Sequence, residues 1–279
     1  QNAYAYALER KQMRAPTRPD GIGAEASDPI HYHPAVRRAL LELRVCTEGM
    51  RAVGYWTAHL LDQAEHESSP ARRQHAVQLA ALLTPVIKAF FTEQGFFQAS
   101  NALQVFGGYG YVAEFAIEQT LRDSRIAMIY EGSNEIQAND LLLRKVLGDN
   151  GYAFGKLVAV MREEASESLK IDDCSGFGAE LKALCDKLEG VQAEIRDRAV
   201  EEGEYPYRVA GDFLRLCGVA LLAFAWTRSA RVSRVLPDSD PLRVSKLETA
   251  GFFFAYVLPQ VDYRIAVIRA AKAALPFFE

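Results

Sequence analysis

The residues best suited to chemistry sit in one short run, Arg122-Asp-Ser-Arg-Ile-Ala-Met-Ile-Tyr-Glu131-Gly-Ser-Asn-Glu-Ile-Gln137. Glu131 stands where the helical pattern breaks, between an apolar stretch ending in Ile129-Tyr130 and a glycine. A carboxylate at such a break can point into a cleft instead of lying along a helix, and an apolar lining makes it a stronger base. Gly132 lets another molecule approach the backbone closely. The plain alternative is that Glu131 caps the following helix, whose N-terminus favours negative charge. On these residues alone capping is the commoner use of such an acid, and both readings stand.

A second run, Gln104-Val-Phe-Gly-Gly-Tyr-Gly-Tyr111, carries three glycines. Glycines permit a tight turn and close contact with a phosphate or cofactor. This run follows a helical pattern, not a strand, so it is no dinucleotide or P-loop fingerprint, and a plain interhelical turn is its alternative. His31 and His33 have the spacing of a strand or turn ligand pair, but no further ligand joins them. Cys46, Cys174, Cys185 and Cys217 form no C-x-x-C pair, which speaks against a zinc site or a disulfide framework and for a reduced, cytoplasmic setting. No metal is expected.

The elements that must position these residues read as helices throughout. Asn2 to Met13 has good helix formers and no breaker. Arg14 to Pro29 holds three prolines and two glycines before its end and is a long loop, a surface excursion or a lid. Helical spacing predicts a helix from Pro34 to about Glu67, and another from Pro70 to about Phe106 that Pro85 should kink. A short helix from Ala116 to about Ile129 follows, and Asn134 with Gln137 has the pattern of a capping box. Gly148 to Gly151 ends the next helix. Residues 152–169, 177–202, 206–235 and 241–275 read as further helices. The fold class is therefore all-α: an up-and-down helical bundle over residues 1–148 and an additional C-terminal helical region over 149–279.

The bulk properties bound the function. The 279 residues carry a net charge of −4 with the basic residues scattered, so no basic field exists to hold nucleic acid. The longest apolar runs, near Val219 to Trp226 and Gly251 to Leu258, fall short of the roughly 20 residues a bilayer requires, so no membrane span is expected. Gln1 begins in the middle of a helical pattern.

Taken together and at their spacing, these runs, with the helix that holds Thr84-Pro-Val-Ile-Lys-Ala-Phe90, closely resemble the C-terminal domain of the acyl-CoA dehydrogenases. The opening Tyr-Ala-Leu-Glu-Arg10-Lys-Gln-Met resembles the same family's Ala-x-x-Arg-x-x-Phe helix end. The resemblance covers residues 1 to 148. It implies FAD-dependent α,β-dehydrogenation of an acyl-CoA thioester to the trans-2-enoyl-CoA. Glu131 matches the base that removes the α-proton while the β-hydride passes to the flavin. The Glu131 N–H would help polarise the thioester carbonyl. Gly132 matches the glycine lining the substrate site. Ser133 and Glu135 match positions near the dinucleotide part of FAD. Arg10, Gln12, Gln104, Gly107 and Gly108 match residues that touch FAD of a neighbouring subunit, which implies a homo-oligomer. An electron-transfer flavoprotein is the implied acceptor. Arg122 and Asp123 are expected to form a structural ion pair.

Two departures stand out. Met13 replaces the family's phenylalanine, and the proline-rich loop and the long tail exceed the short- and medium-chain enzymes. Loop and tail resemble an extended branch that includes 3-methylmercaptopropionyl-CoA dehydrogenase. The family's N-terminal helical and middle β domains have no counterpart in these residues, so the fragment alone is expected to be inactive. An acyl-CoA oxidase-like flavoenzyme and a non-catalytic helical assembly module of the same fold are the alternatives.

Overall fold

The computed structural model describes residues 1–23, 26–271 and 275–277. The all-α expectation holds: among the described residues there is no strand, only an isolated antiparallel bridge between Lys11 and Pro29. The chain forms two compact units. One comprises Gln1–Thr47 with Thr92–Glu131, the other Glu48–Phe91 with Gly132–Glu279.

In the first unit lie α1 (Asn2–Glu9), the start of α2 (Pro34–His66), α4 (Thr92–Phe106), two 3-10 turns (Gly107–Tyr111 and Ala113–Phe115) and α5 (Ile117–Ile126). The α3 helix (Pro70–Val86) belongs to the second unit. Ala3, Ala7, Val105, Phe106 and Ile117 are buried together, with Val36, Leu40 and Leu43 of α2 against them. The helix expected to reach Met13 stops at Glu9, because Arg10 turns extended. Its backbone and that of the two residues beyond then pair with the end of the long loop.

The second unit is built around α9 (Tyr205–Val232), every residue of which from Leu216 to Thr227 is buried. A helix apolar all round is a core helix, and α9 is enclosed by its neighbours. Those neighbours are α6 (Asn134–Asn139), α7 (Tyr152–Leu169), α8 (Asp172–Glu201), α10 (Pro241–Phe252) and α11 (Gln260–Ala270). The helical stretches Pro70–Tyr111 and Tyr205–Val235 are long and apolar enough to cross a membrane, but the apolar window of the latter is 83% buried within the fold. The buried Glu164 of α7 takes Arg231 of α9 in a two-pronged ion pair at 2.5 and 2.8 Å, a geometry that adds direction as well as energy.

Two boundaries differ from the sequence expectation. The α8 helix starts at Asp172, inside the stretch read as a break, since Asp172 and Asp173 place carboxylates at its positive N-terminus. The helix expected over 241–275 is interrupted by a π-helical turn (Phe253–Val257) and by Pro259, which caps α11; its end falls partly outside the described residues.

Helix α3 runs directly into a π-helical turn, Ile87–Phe91, before α4. Pro85 has no N–H, so the carbonyl of Ala81 one turn earlier loses its helical donor. The ammonium of Lys145 supplies one instead. Lys145 lies on a second π-helical segment, Asp140–Leu147, which continues α6. The kink expected at Pro85 is thus a break in the ladder that another element fills.

Gly218 of α9 packs on this region so closely that an added Cβ would stand 2.3 Å from the Phe90 ring. Gly218→Ala should therefore destabilise the second unit by about 1–3 kcal/mol, the usual range for overpacking, read as a lower urea midpoint. Phe90→Leu in the same chain should recover part of the loss. An unchanged midpoint for Gly218→Ala alone would contradict the close approach.

Candidate functional site

The first cluster of interest is formed where the chain leaves α1. Arg10 to Met13 run antiparallel to Asp28–Ile30: the Gln12 N–H donates to the Asp28 carbonyl at 2.9 Å, the Asp28 N–H to Met13 at 2.8 Å, and the Ile30 N–H to Arg10 at 2.8 Å. Asp28 is buried, and its carboxylate accepts the Ala15 N–H at 2.8 Å and the Arg18 guanidinium at 2.8 and 2.9 Å. Burial alone would push this carboxyl up. The Ala15 N–H and Arg18 outweigh it and hold it below the usual carboxylate range. The histidines serve the same closure: His31 Nδ1 lies 3.2 Å from the Ala7 carbonyl and His33 Nε2 lies 2.9 Å from that of Gln12.

The closed loop presents Arg10 and Gln12 toward the glycine run. Gly107 takes φ +59°, which turns the chain out of α4. Tyr6 stacks on Phe106 at 4.3 Å, and the Arg10 guanidinium sits 5.2 Å above the Tyr109 ring. Together these residues line a groove of about 520 Å3 that gathers Arg10, Gln12, Gln104, Gly107 and Gly108, all five of the residues expected to meet a neighbouring cofactor. A Cβ added at Gly107 or Gly108 would meet nothing within 4 Å, so the backbone there is open to a ligand. A guanidinium, two amide side chains and bare backbone suit an anionic group with a flat body, and the dinucleotide part of FAD fits that description. Tyr6 and Tyr109 line the groove but were not singled out in the sequence; the position of Tyr109 inside the glycine run was the available signal.

The second cluster begins at the end of α5. There Arg122 pairs with Glu118 at 2.8 Å, one helical turn back, and not with its neighbour Asp123 as expected. The helix ends at Ile126 and a turn leads through Ile129 and Tyr130, both largely exposed. Glu131 then adopts φ +57° and Gly132 φ +82°. The left-handed region costs an L-residue such as Glu131 about 1–2 kcal/mol. Glu131 is exposed.

The second unit takes over at Gly132. Ser133 occupies the capping position of α6, and its carbonyl accepts the Gln137 N–H at 3.1 Å. The capping box read into Asn134 and Gln137 is therefore not formed. Asn134 is already inside the helix, and its side chain reaches back to the π turn, donating to the Ala89 carbonyl at 3.0 Å. Lys88 of the same turn donates from Nζ to the Gly132 carbonyl at 2.5 Å and to Asn134 Oδ1 at 3.1 Å. Glu135 lies exposed in the first turn of α6, and Ser133 holds the capping position without a side-chain bond to the helix.

Two family models match the chain: residues 24–147 match one described as acyl-CoA dehydrogenase, C-terminal domain, and residues 155–276 match one described as acetyl-CoA dehydrogenase C-terminal like. The chain belongs to the acyl-CoA dehydrogenase family. Gln104, Gly107, Gly108, Glu131, Gly132, Ser133 and Glu135 fall within the first matched block; Arg10 and Gln12 precede it. The chain is 42% identical over 170 residues to 3-methylmercaptopropionyl-CoA dehydrogenase of Ruegeria pomeroyi, an alignment covering 60% of this chain and 29% of that one. Among solved structures it resembles Caenorhabditis elegans ACDH-11 in complex with C11-CoA (TM-score 0.65, 18% identity, 98% of this chain and 44% of that one). It also resembles an acyl-CoA dehydrogenase complexed with FAD from Bacillus anthracis (TM-score 0.61, 19% identity, 99% of this chain and 50% of that one). The chain thus spans half or less of the length of these relatives.

The closure of the acyl-CoA dehydrogenase loop should depend on Asp28 ionisation. A carboxyl held below its ordinary value stabilises the fold fully above that value and loses its contribution as pH falls through the lower, folded value. Hydrogen exchange in residues 12–23, corrected for intrinsic rate, should stay slow from pH 7 to 5 and quicken only below about pH 4. Asp28→Ala should quicken it at pH 7. Loss of protection already between pH 7 and 5 in the unaltered chain would contradict the assignment.

Proposed function

We propose that this chain carries the catalytic base and part of the FAD site of an enzyme that dehydrogenates acyl-CoA thioesters between the α and β carbons. The observation that carries the reading is the backbone of Glu131. A glutamate is held left-handed at a helix break and is followed by a left-handed glycine; Met13, Ala116 and Asn150 share that backbone, but of the four only Glu131 brings a carboxylate to it, and such strain gathers at functional sites.

In this reading the Glu131 carboxylate removes the α-proton of the thioester. The electron pair left on the α-carbon forms the double bond as the β-carbon gives up a hydride, and the product is the trans-2-enoyl-CoA. FAD, when bound, supplies the hydride acceptor. The Glu131 N–H donates to the thioester oxygen as negative charge grows there, which lowers the cost of losing a weakly acidic proton. Gly132 leaves room for the thioester beside the backbone, and Ser133 and Glu135 stand near the dinucleotide. Arg10, Gln12, Gln104 and the Gly107-Gly108 backbone hold FAD of a neighbouring subunit, so the enzyme is a homo-oligomer. An electron-transfer flavoprotein reoxidises it. Four buried cysteines without a disulfide accord with a cytoplasmic setting.

The test uses the flavin-loaded full-length protein. Glu131→Gln should leave flavin absorbance in place and slow its bleaching by acyl-CoA by at least about 100-fold, the lower end of what a general base contributes. Bleaching at an unchanged rate would overturn the base assignment, and a protein without flavin would favour a helical assembly module. Gln104→Ala, by contrast, should lower the flavin-to-protein absorbance ratio after gel filtration while leaving bleaching by the flavin that remains unchanged. Full occupancy together with an unchanged oligomer would remove Gln104 from the cofactor site.

A further inference from the structure

The π-helical turn Ile87–Phe91 is not used by the reaction as described, yet it faces the segment that follows the base. A π turn inserts a residue into the helix and frees carbonyls from the regular ladder, and such turns recur at functional sites. Here one backbone carbonyl and one side chain both meet the Gly132–Asn134 turn. Lys88 Nζ donates to the Gly132 carbonyl at 2.5 Å and to Asn134 Oδ1 at 3.1 Å, and Asn134 Nδ2 donates in return to the Ala89 carbonyl at 3.0 Å. The bonds close a ring that grips the chain on both sides of Ser133. Lys88 is half-buried, Ala89 is buried and Gly132 is exposed, so the Asn134 arm of the ring is the one better shielded from water.

We infer that Lys88, locked by Asn134, is a positioning residue that sets the aim of the Glu131 carboxylate. The inference rests on Glu131 being the base. Only the ψ of Glu131 and the φ and ψ of Gly132 lie between the clamped carbonyl and the Glu131 Cα. Gly132 is the most permissive residue possible at that point, so without the clamp the turn has the freedom to swing. With it, the left-handed pair at 131 and 132 is held from one side by a charge-assisted bond, about twice as strong as a neutral one. A base must approach its proton within about 0.5 Å of the productive position to act at full rate, and a misplacement of about 1 Å can cost 100-fold.

The experiment compares variants of the flavin-loaded full-length protein with 3-methylmercaptopropionyl-CoA and with short and long straight-chain acyl-CoAs. Lys88→Met keeps the length of the side chain and removes the ammonium. It should lower kcat and the rate of α-proton exchange in D2O by about 10- to 100-fold, with KM and flavin occupancy changed less than about twofold. Lys88→Cys should be equally slow, and aminoethylation of that thiol, which rebuilds an ammonium at nearly the same reach, should restore most of the rate. The four cysteines of this chain are buried, and the unaltered protein treated in parallel controls for any other thiol. Asn134→Ala removes the other arm and should slow exchange in the same way, which keeps the inference testable if Lys88→Met does not fold. Full rate in Lys88→Met or in Asn134→Ala, with Glu131→Gln inactive, would overturn the positioning role and leave the base assignment intact. So would a rate loss matched by flavin loss and not recovered on aminoethylation. Full rate in Glu131→Gln would instead overturn the underlying reading.

Discussion

The second unit depends on a break in the hydrogen-bond ladder of one helix. Pro85 removes a donor and a π turn follows it; Ala81 is exposed, but a buried carbonyl such as that of Ala89 cannot be left without a partner at a cost below about 1–3 kcal/mol. Lys145 takes the Ala81 carbonyl and Asn134 takes the Ala89 carbonyl. Both donors come from the segment directly after Glu131, so the defect in one helix fixes the path of the next. The close seat of Gly218 against Phe90 on the same turn then ties the core helix α9 to that arrangement.

The first unit solves a different problem, how to expose polar groups at fixed positions on a small core. Tyr6 and Phe106 supply the packing, and the closure of the long loop through the buried Asp28 supplies the constraint. Arg10 and Gln12 lie just outside a helix end and would otherwise sample many directions. Pairing their backbone with Asp28 and Ile30 removes that freedom before any ligand arrives, which is where binding gains most from a fixed frame. The bare backbone at Gly107 and Gly108 completes the groove from the other side.

The all-helical character, the loop and the two runs of interest were legible because they are local: periodicity, breakers and glycine spacing all act within a few residues. What escaped notice acts at a distance. Met13 carries no breaker, and backbone pairing with Asp28 and Ile30, fifteen to twenty positions on, draws Arg10 to Met13 out of the helix. Asn134 has the pattern of a capping residue, but the side-chain oxygen a cap would use accepts instead from Lys88, forty-six positions earlier. Asp172 and Pro259 were local signals that were read too weakly: paired acids at a helix start and a proline inside an apolar run. The groove residues were legible one by one through resemblance, whereas their gathering in one place, with Tyr6 and Tyr109, required the fold.

The left-handed backbone of Glu131 joins these threads. Glycine at that position would be the relaxed solution, as it is at Gly132, so keeping a glutamate there is a standing cost of about 1–2 kcal/mol. That cost is tolerable only where neighbouring structure holds the conformation. On the side after Glu131, the Lys88 and Asn134 ring lies against the chain. On the side before it, the Tyr130 N–H still reaches the Ile126 carbonyl at 3.2 Å, extending the last turn of α5 up to the residue that departs. The Glu131 backbone is therefore flanked on one side by the last turn of α5 and on the other by the ring of Lys88 and Asn134.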